Sequence, residues 1–368
     1  MSKVIDYYNY LHSIPEPSMQ EYKTSAYIAA KLKEAGYTVE TGLHGSTGLV
    51  AVLDSGKPGP TLGLRADMDS LPHLINGKLE QRHTCGHDAH CSMLLTAAEN
   101  IIAEGLVKKG RLKLIFQPGE ETAEGAKAVA ASGIIDDIDL LLGAHIRPLQ
   151  ECGKGEIVVG MQYSATHMID VIIKGKPAHG ARPHLGINPI DAGLAIVACV
   201  NAIHLDPAAN CSVKCTRFLA DSGARNAIPE YAKLTFDMRA QSNAVMDEIK
   251  RKIKPAIENG ALAVGAHIDH IDVISDLPGA ELDSELTELI QETVVENFGA
   301  AAAKPIFYTP GGEDFFYYQQ YKPTLRVGFF GVGVGAAPGL HHPHMQLDTA
   351  YLEYGVIMHQ SLVRKILG

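Results

Sequence analysis

The sequence predicts an α/β protein: a mostly parallel sheet with helices on both faces, plus an inserted ferredoxin-like domain. Three observations carry this. Strand-like apolar runs alternate with helical segments toward both ends of the chain, and the runs show little polar alternation, as in strands buried on both faces. Between about residues 163 and 275 the order becomes β-α-β-β-α-β, the ferredoxin-like unit. The length of 368 residues suits two domains, or one with a large insertion.

The elements follow from spacing and punctuation. Residues 21–35 read as an amphipathic helix, with Ile28, Ala29, Leu32 and Ala35 on one face and Gly36 as the stop. Strands are expected at 49–53 and 61–65. Residues 87–105 place Met93, Leu94, Ala97, Ala98, Ile101 and Ile102 at helical spacing. Strands at 112–116 and 140–146 complete the first part. The insertion reads as strand 168–174, helix 188–204, strands 212–219 and 231–239, a charged helix 244–260 and strand 267–274. A helix at 284–298 and a strand at 324–330 resume the first pattern. The expected domains are therefore a discontinuous α/β domain, residues 1–162 and 276–368, and an inserted domain, 163–275.

Composition narrows the function. The chain has 32 basic and 42 acidic residues, a formal charge of −10, which argues against a nucleic-acid partner. No apolar stretch of about 18 residues exists to span a membrane. The N-terminus turns polar and acidic before an apolar signal core can form, so a cytoplasmic protein is expected. Of six cysteines, Cys91, Cys152, Cys199, Cys211 and Cys215 are expected to fill the core. Cys85 differs in its neighbours.

Those neighbours form the densest polar cluster, His83-Thr84-Cys85-Gly86-His87-Asp88-Ala89-His90. Cys85 and His87 lie where a loop enters a helix, and a thiolate with an imidazole suits zinc and similar metals. An ordinary helix start, with Asp88 at the positive dipole end, reads equally well from this segment alone. Further along, the 112–116 strand leads into Gln117-Pro118-Gly119-Glu120-Glu121, and the 140–146 strand reaches His145. Carboxyl ends of parallel strands are where open α/β sheets place their sites. The turn His341-His342-Pro343-His344 adds imidazoles. Cys85, His87, Glu121, His145 and His341 make five ligand-type groups, which fit two metals better than one. Two such cations activate water and polarise a carbonyl. Glu120, beside a ligand but not one itself, is then the natural general base.

The chain resembles the M20 family of metallo-amidohydrolases, in its aminoacylase/hippurate-hydrolase-like branch. The likeness runs nearly end to end. It begins with Leu11-His12-Ser13-Ile14-Pro15-Glu16 and continues through Arg65-Ala66-Asp67-Met68-Asp69, Cys85-Gly86-His87-Asp88 and Gln117-Pro118-Gly119-Glu120-Glu121. Gly143-Ala144-His145, Ala178-His179-Gly180, Asn226-Ala227-Ile228-Pro229, Gly312-Glu313-Asp314-Phe315 and Leu340-His341-His342-Pro343 follow in order. The resemblance implies a zinc-exopeptidase-like sheet domain with a lid domain. It also implies a two-metal centre on Cys85, His87, Glu121, His145 and His341, the last chosen over its neighbours by the family's His-x-Pro position. Zinc, manganese, cobalt or nickel would suit these ligands.

The implied reaction is hydrolysis of N-acyl amino acids or related small conjugates by a metal-bound hydroxide, with Glu120 as general base and acid. His179 resembles the lid histidine that stabilises the oxyanion, and Asn226 and Arg239 resemble residues near the substrate carboxylate. In some relatives the lid forms a homodimer contact and its histidine serves the neighbouring subunit. A dipeptidase of the same family, a thiol hydrolase using Cys85 and a non-catalytic metal-stabilised binding protein are the alternatives.

Three departures bear on substrate choice. The stretch between Ser70 and His83 is short, Gly119 replaces a commoner alanine, and Arg182 places a cation where relatives often have a small residue. Arg182 reads either as a contact for an anionic substrate group or as the partner of a lid acid. Asp67 is expected to orient a liganding histidine, and Asp69 has no assigned role. Glu313 and Asp314 read as helix caps. Gly331, Gly333 and Gly335 suggest a nucleotide loop, but Pro338 stands where a helix should begin, so a flexible loop toward His341 is expected.

Overall fold

The computed structural model describes residues 2–368 and divides into two compact units. One comprises Met1–Gln162, Glu281–Tyr308 and Glu313–Gly368; the other comprises Tyr163–Ala280 and Thr309–Gly312.

The first unit is built on an eight-stranded sheet. Its early strands are β1 (Thr38–Thr41), β2 (Leu49–Asp54) and β3 (Thr61–Asp67), followed by the separate hairpin β4 (Leu71–Ile75) and β5 (Lys78–Arg82). Then come β6 (Arg111–Gln117), β7 (Leu140–Pro148) and β8 (Ile157–Val158). The order is β1-β2-β6-β3-β7, then strand Arg326–Ala336, then β8 and strand Ala303–Lys304. The central run from β6 through β3 and β7 to Arg326–Ala336 is parallel; β1 and β2 pair antiparallel, and β8 is antiparallel to Arg326–Ala336 but parallel to Ala303–Lys304. Every residue of β3 is buried, including Arg65 and Asp67, which pair with each other.

Helices α1 (Lys3–His12), α2 (Tyr22–Ala35) and α3 (His87–Ala103) belong to this unit, with Ser284–Phe298 and Leu352–Leu367. Helix α3 buries nearly its whole circumference in small and apolar side chains, contributing Ala89, Met93, Leu94, Ala97, Ala98 and Ile101 to the core. Helix α1 and the β4–β5 hairpin were not anticipated. The hairpin's alternation is broken by Pro72 and His73, and its turn at Asn76-Gly77 is the readable signal.

The glycine-rich segment corrects an expectation. Gly331, Gly333 and Gly335 lie inside strand Arg326–Ala336, not in a flexible loop. A side chain on Gly333 would lie 1.9 Å from the carbonyl oxygen of Gly153, so the glycines permit close backbone packing.

The second unit carries an antiparallel sheet in the order Cys211–Leu219, Tyr231–Ala240, Ala165–Lys174, His267–Leu277. Helices Pro189–Asn201 and Asn243–Leu262 pack together with it through Ile196, Ile249, Ile253 and Ile257 against Val171, Leu234 and Phe236. This is the ferredoxin-like order that the sequence predicts. Cys199 is exposed, and Cys211 and Cys215 are half-buried, contrary to their expected core role. The latter two occupy an edge strand whose face is only partly covered. No helix among the described residues is long and apolar enough to cross a membrane.

Candidate metal centre

Strand ends and two turns of the first unit bring five ligand-type side chains together. Gly86 turns the backbone into α3 at φ +91°, and a side chain there would strike Ile146 at 2.2 Å, so glycine is required twice over. That turn aims Cys85 and His87 inward. Cys85 Sγ lies 3.4 Å from His145 Nε2 and 3.3 Å from His341 Nε2. Glu121 Oε1 lies 3.4 Å from His341 Nε2 and 3.9 Å from His87 Nε2. His341 sits at φ +62°, and its N–H donates to the Thr84 carbonyl at 2.8 Å, tying its turn to the Cys85 loop. The donor atoms of Cys85, His87 and His145 lie within 4.8 Å of one another, and so do those of Cys85, Glu121 and His341. Cys85 is common to both triplets.

The imidazoles are oriented by what their other nitrogens bind. His145 Nδ1 donates to the Ile146 carbonyl at 2.5 Å, and His87 Nδ1 donates to Asp69 Oδ1 at 3.0 Å. Each Nε2 then faces into the cluster, where a cation would displace any proton it carries. His87 Nε2 and Glu121 Oε1 are buried without a hydrogen-bond partner. Leaving such atoms unsatisfied costs about 1–3 kcal/mol each, and a cation would satisfy both. Mixed sulfur, nitrogen and oxygen donors in two triplets fit a pair of borderline divalent cations.

The electrostatics are those of a pocket rich in carboxylates. Burial and the Glu121 charge push the Cys85 thiol well above its usual range. Burial holds His145 well below the usual imidazole value, and hence neutral. Burial also works to lower His87, but Asp67, Cys85 and the Asp69 hydrogen bond carry it well above. Burial, Glu313 and Glu121 push the Glu120 carboxyl well up. Glu120 Oε2 lies 3.9 Å from His87 Nε2.

The supporting layer corrects the reading of Asp67 and extends that of Glu313 and Asp314. Asp67 accepts from His90 Nδ1 and Arg65 Nη1, each at 2.6 Å, but stands 3.8 Å from His87 Nε2. The partner of His87 is Asp69, which also accepts the Glu121 N–H at 3.1 Å and the Ser18 hydroxyl at 2.6 Å. Asp67 is the last residue of β3, whereas Asp69 lies two residues beyond it, where the chain has left the strand, so the two carboxylates meet different histidines. Glu313 does accept the Phe315 N–H, yet it is buried and lies 3.1 Å from Arg65 Nη2. Asp314 accepts from Arg65 Nη2, from Gln117 Nε2 and from the Ala126 N–H. Carboxylate oxygens of Glu120, Glu313 and Asp314 lie within 4.8 Å of one another. Arg65 was missed as a structural centre; an arginine inside an apolar strand was the available signal.

The remaining candidates belong to the second unit. His179 pairs with Ala227 in a two-residue ladder, and the Gly180 N–H donates to the Asn226 carbonyl at 2.7 Å, placing these residues side by side. His179 Nδ1 accepts the Ala181 N–H at 3.0 Å. Arg182 is exposed and makes no ion pair among the described residues, so the expected alternative of a lid-acid partner is not found. Arg239 is held by Asp237 at 3.0 Å and by the Pro310 carbonyl at 3.3 Å.

The family model for Peptidase family M20/M25/M40 matches residues 63–365. The chain belongs to this family. It is 29% identical to N-acetyl-L-cysteine deacetylase of Bacillus subtilis, over 96% of this chain and 86% of that protein. It is 32% identical to hippurate hydrolase of Campylobacter jejuni, over 66% of each. A crystal structure from Bacillus subtilis, described as a dinuclear metal binding peptidase from the M20 family, superposes with a TM-score of 0.84. The identity is 25%, covering all of this chain and 98% of that one. The M20 chain is thus a hydrolytic enzyme acting on amides.

Proposed function

We propose that this M20 chain hydrolyses the amide bond of N-acyl amino acids or related small conjugates, with Glu120 as general base and acid. The observation that carries the reading is the pair of donor triplets sharing Cys85, set beside an acid that belongs to neither. Cys85, His87, Glu121, His145 and His341 would hold two divalent metals, which when bound supply Lewis acidity toward the carbonyl and toward water.

Glu120 takes the proton of the attacking water and returns it to the departing amine. Its carboxyl is pushed up by burial and by Glu313 and Glu121, the direction that suits a base working near neutral pH. His179 is assigned to the oxyanion. With Nδ1 accepting the Ala181 N–H, the ring proton sits on Nε2, which is therefore a donor. Asn226, Arg239 and Arg182 are assigned to the substrate carboxylate or an anionic acyl group. The region 163–275 is assigned the lid and dimer-contact role implied by the resemblance, to be read by light scattering.

A thiol hydrolase is disfavoured. A nucleophilic cysteine needs a lowered pKa, and Cys85 is pushed the other way by burial and Glu121. The test is a hydrolysis panel of N-acetyl, benzoyl and long-chain acyl amino acids, with dipeptides, run with zinc, manganese, cobalt or nickel. Glu120→Gln is expected to lose about 10²–10⁴-fold in turnover with its metal content unchanged. Normal turnover by that variant would refute the mechanism, and preference for dipeptides would move the reading to a dipeptidase.

A further inference from the structure

The turn that carries Glu120 is gripped from behind by the segment leading into α2. We infer that Glu21 is a positioning residue for Glu120, acting through the backbone of Gly119; the inference rests on the general-base reading above.

Glu21 is fully buried, and its carboxylate is spent on three donors. Oε1 accepts the N–H groups of Met19 and Gly119, both at 2.8 Å, and Oε2 accepts the Thr47 hydroxyl. Gly119 stands immediately before Glu120. Its carbonyl in turn accepts the N–H groups of Glu124 and Gly125 at 3.3 and 3.1 Å, so the peptide is tied at both ends.

Met19 closes the third side. Its φ is +63° and that of Gly119 is +55°, and a side chain on Gly119 would lie 2.6 Å from Met19 Sδ. The methionine thus packs where the commoner alanine would project. On the far side of Glu120, the Ser18 hydroxyl binds the Asp69 oxygen that accepts the Glu121 N–H. Residues before and after the base are both referred back to the same short stretch, Ser18 to Glu21.

Such a clamp matters because a misplacement of about 1 Å at a reacting group costs on the order of 10²-fold in rate. The partners of Glu21 are Met19, Gly119 and Thr47, none of them a ligand-type residue of the centre, so its effect must run through Gly119. Substitution to alanine strands two N–H groups and a hydroxyl. Substitution to glutamine preserves the arrangement: its Oε1 accepts both N–H groups, and its amide donates to the Thr47 oxygen.

The experiment compares Glu21→Ala, Glu21→Gln and Glu21→Asp with the parent enzyme. For Glu21→Ala, kcat is expected to fall about 10–100-fold, with KM changed less than about threefold and metal content equal to the parent. Glu21→Gln is expected to stay within about threefold of the parent in kcat. Should the alanine variant fail to fold, Glu21→Asp gives the same split, because the shorter chain draws the carboxylate back from Gly119.

Hydrogen exchange gives a readout independent of turnover. Residues 118–124 are expected to exchange faster in the alanine variant, while residues 85–91 do not. Unchanged kcat and exchange, a loss confined to KM, or a glutamine variant as impaired as alanine would each overturn the inference. If the parent itself hydrolyses nothing in the panel, the functional reading fails, and the exchange arm alone decides whether Glu21 holds the turn.

Discussion

The carboxyl ends of the large sheet and the small ladder of the second unit treat their polar residues in opposite ways. At the sheet ends Cys85, His87 and His145 are buried, Glu120 and Glu121 are half-buried and His341 is exposed, and most are held in place: Asp69 holds His87, the Ile146 carbonyl holds His145, and Arg65 gathers Asp67, Glu313 and Asp314. In the second unit His179, Arg182 and Asn226 are exposed, and among the side chains only the His179 ring is held, by the Ala181 N–H. The first arrangement costs burial of charge and gains fixed geometry. The second costs little and leaves its side chains free to meet a ligand. Residues that build a site should therefore perturb metal binding or stability when changed, and residues that only meet substrate should not.

The largest effect that sharpens this contrast is expected at His179. His179→Ala should lower kcat by about 10²–10³-fold, the usual cost of an oxyanion donor, without altering melting temperature or metal content. A melting temperature that dropped along with activity would place His179 among the residues that build the fold.

Next comes Asp69→Asn, which weakens the hold on His87 Nδ1. Metal affinity should fall by about 10–100-fold, as measured by competition with a chromophoric chelator. The same change at Asp67, which holds His90 and Arg65, should act on stability more than on metal. Equal metal losses from both would erase the distinction drawn between the two acids.

A smaller effect tests burial without a carboxylate partner. His359 is buried in the helix Leu352–Leu367, with the Phe330 ring 5.6 Å away, and burial together with His90 lowers its pKa from 6.5 to about 4. The unfolded chain then binds a proton more readily than the folded one. The neutral ring's contribution is present above pH 6.5 and is lost as the pH falls through about 4, amounting to at most about 3 kcal/mol. Urea titrations from pH 7 to 4 should show that decline, and His359→Gln should flatten it. A parallel decline in the variant would assign the acid sensitivity to other groups.

Legibility in the sequence followed the same division. The helix Ser284–Phe298 was readable to the residue, because Asp283 caps it and its apolar face repeats regularly. Strand Arg326–Ala336 was cut short at Phe330, since glycines that allow close packing resemble loop glycines in one dimension. The order of motifs pointed to Cys85, His87, Glu120, Glu121, His145 and His341, all of which carry recognisable chemistry. Asp69, Arg65 and Glu21 act through partners that lie 18, 249 and 98 positions away, and no local pattern announces such pairs.

By itself, the sequence determined the two kinds of architecture, the family and the inventory of groups able to bind metal or move a proton. Periodicity, turn residues and ligand type are local properties, and they survive in a string of letters. Only the tertiary structure decided which acid holds which histidine, that Cys85 is common to both donor triplets, and that a buried glutamate grips the turn beside the base. Those facts depend on distances between strand ends and turns. The distances are set when parallel strands register and their side chains are shut away from water, where every unpaired donor or acceptor must find a partner.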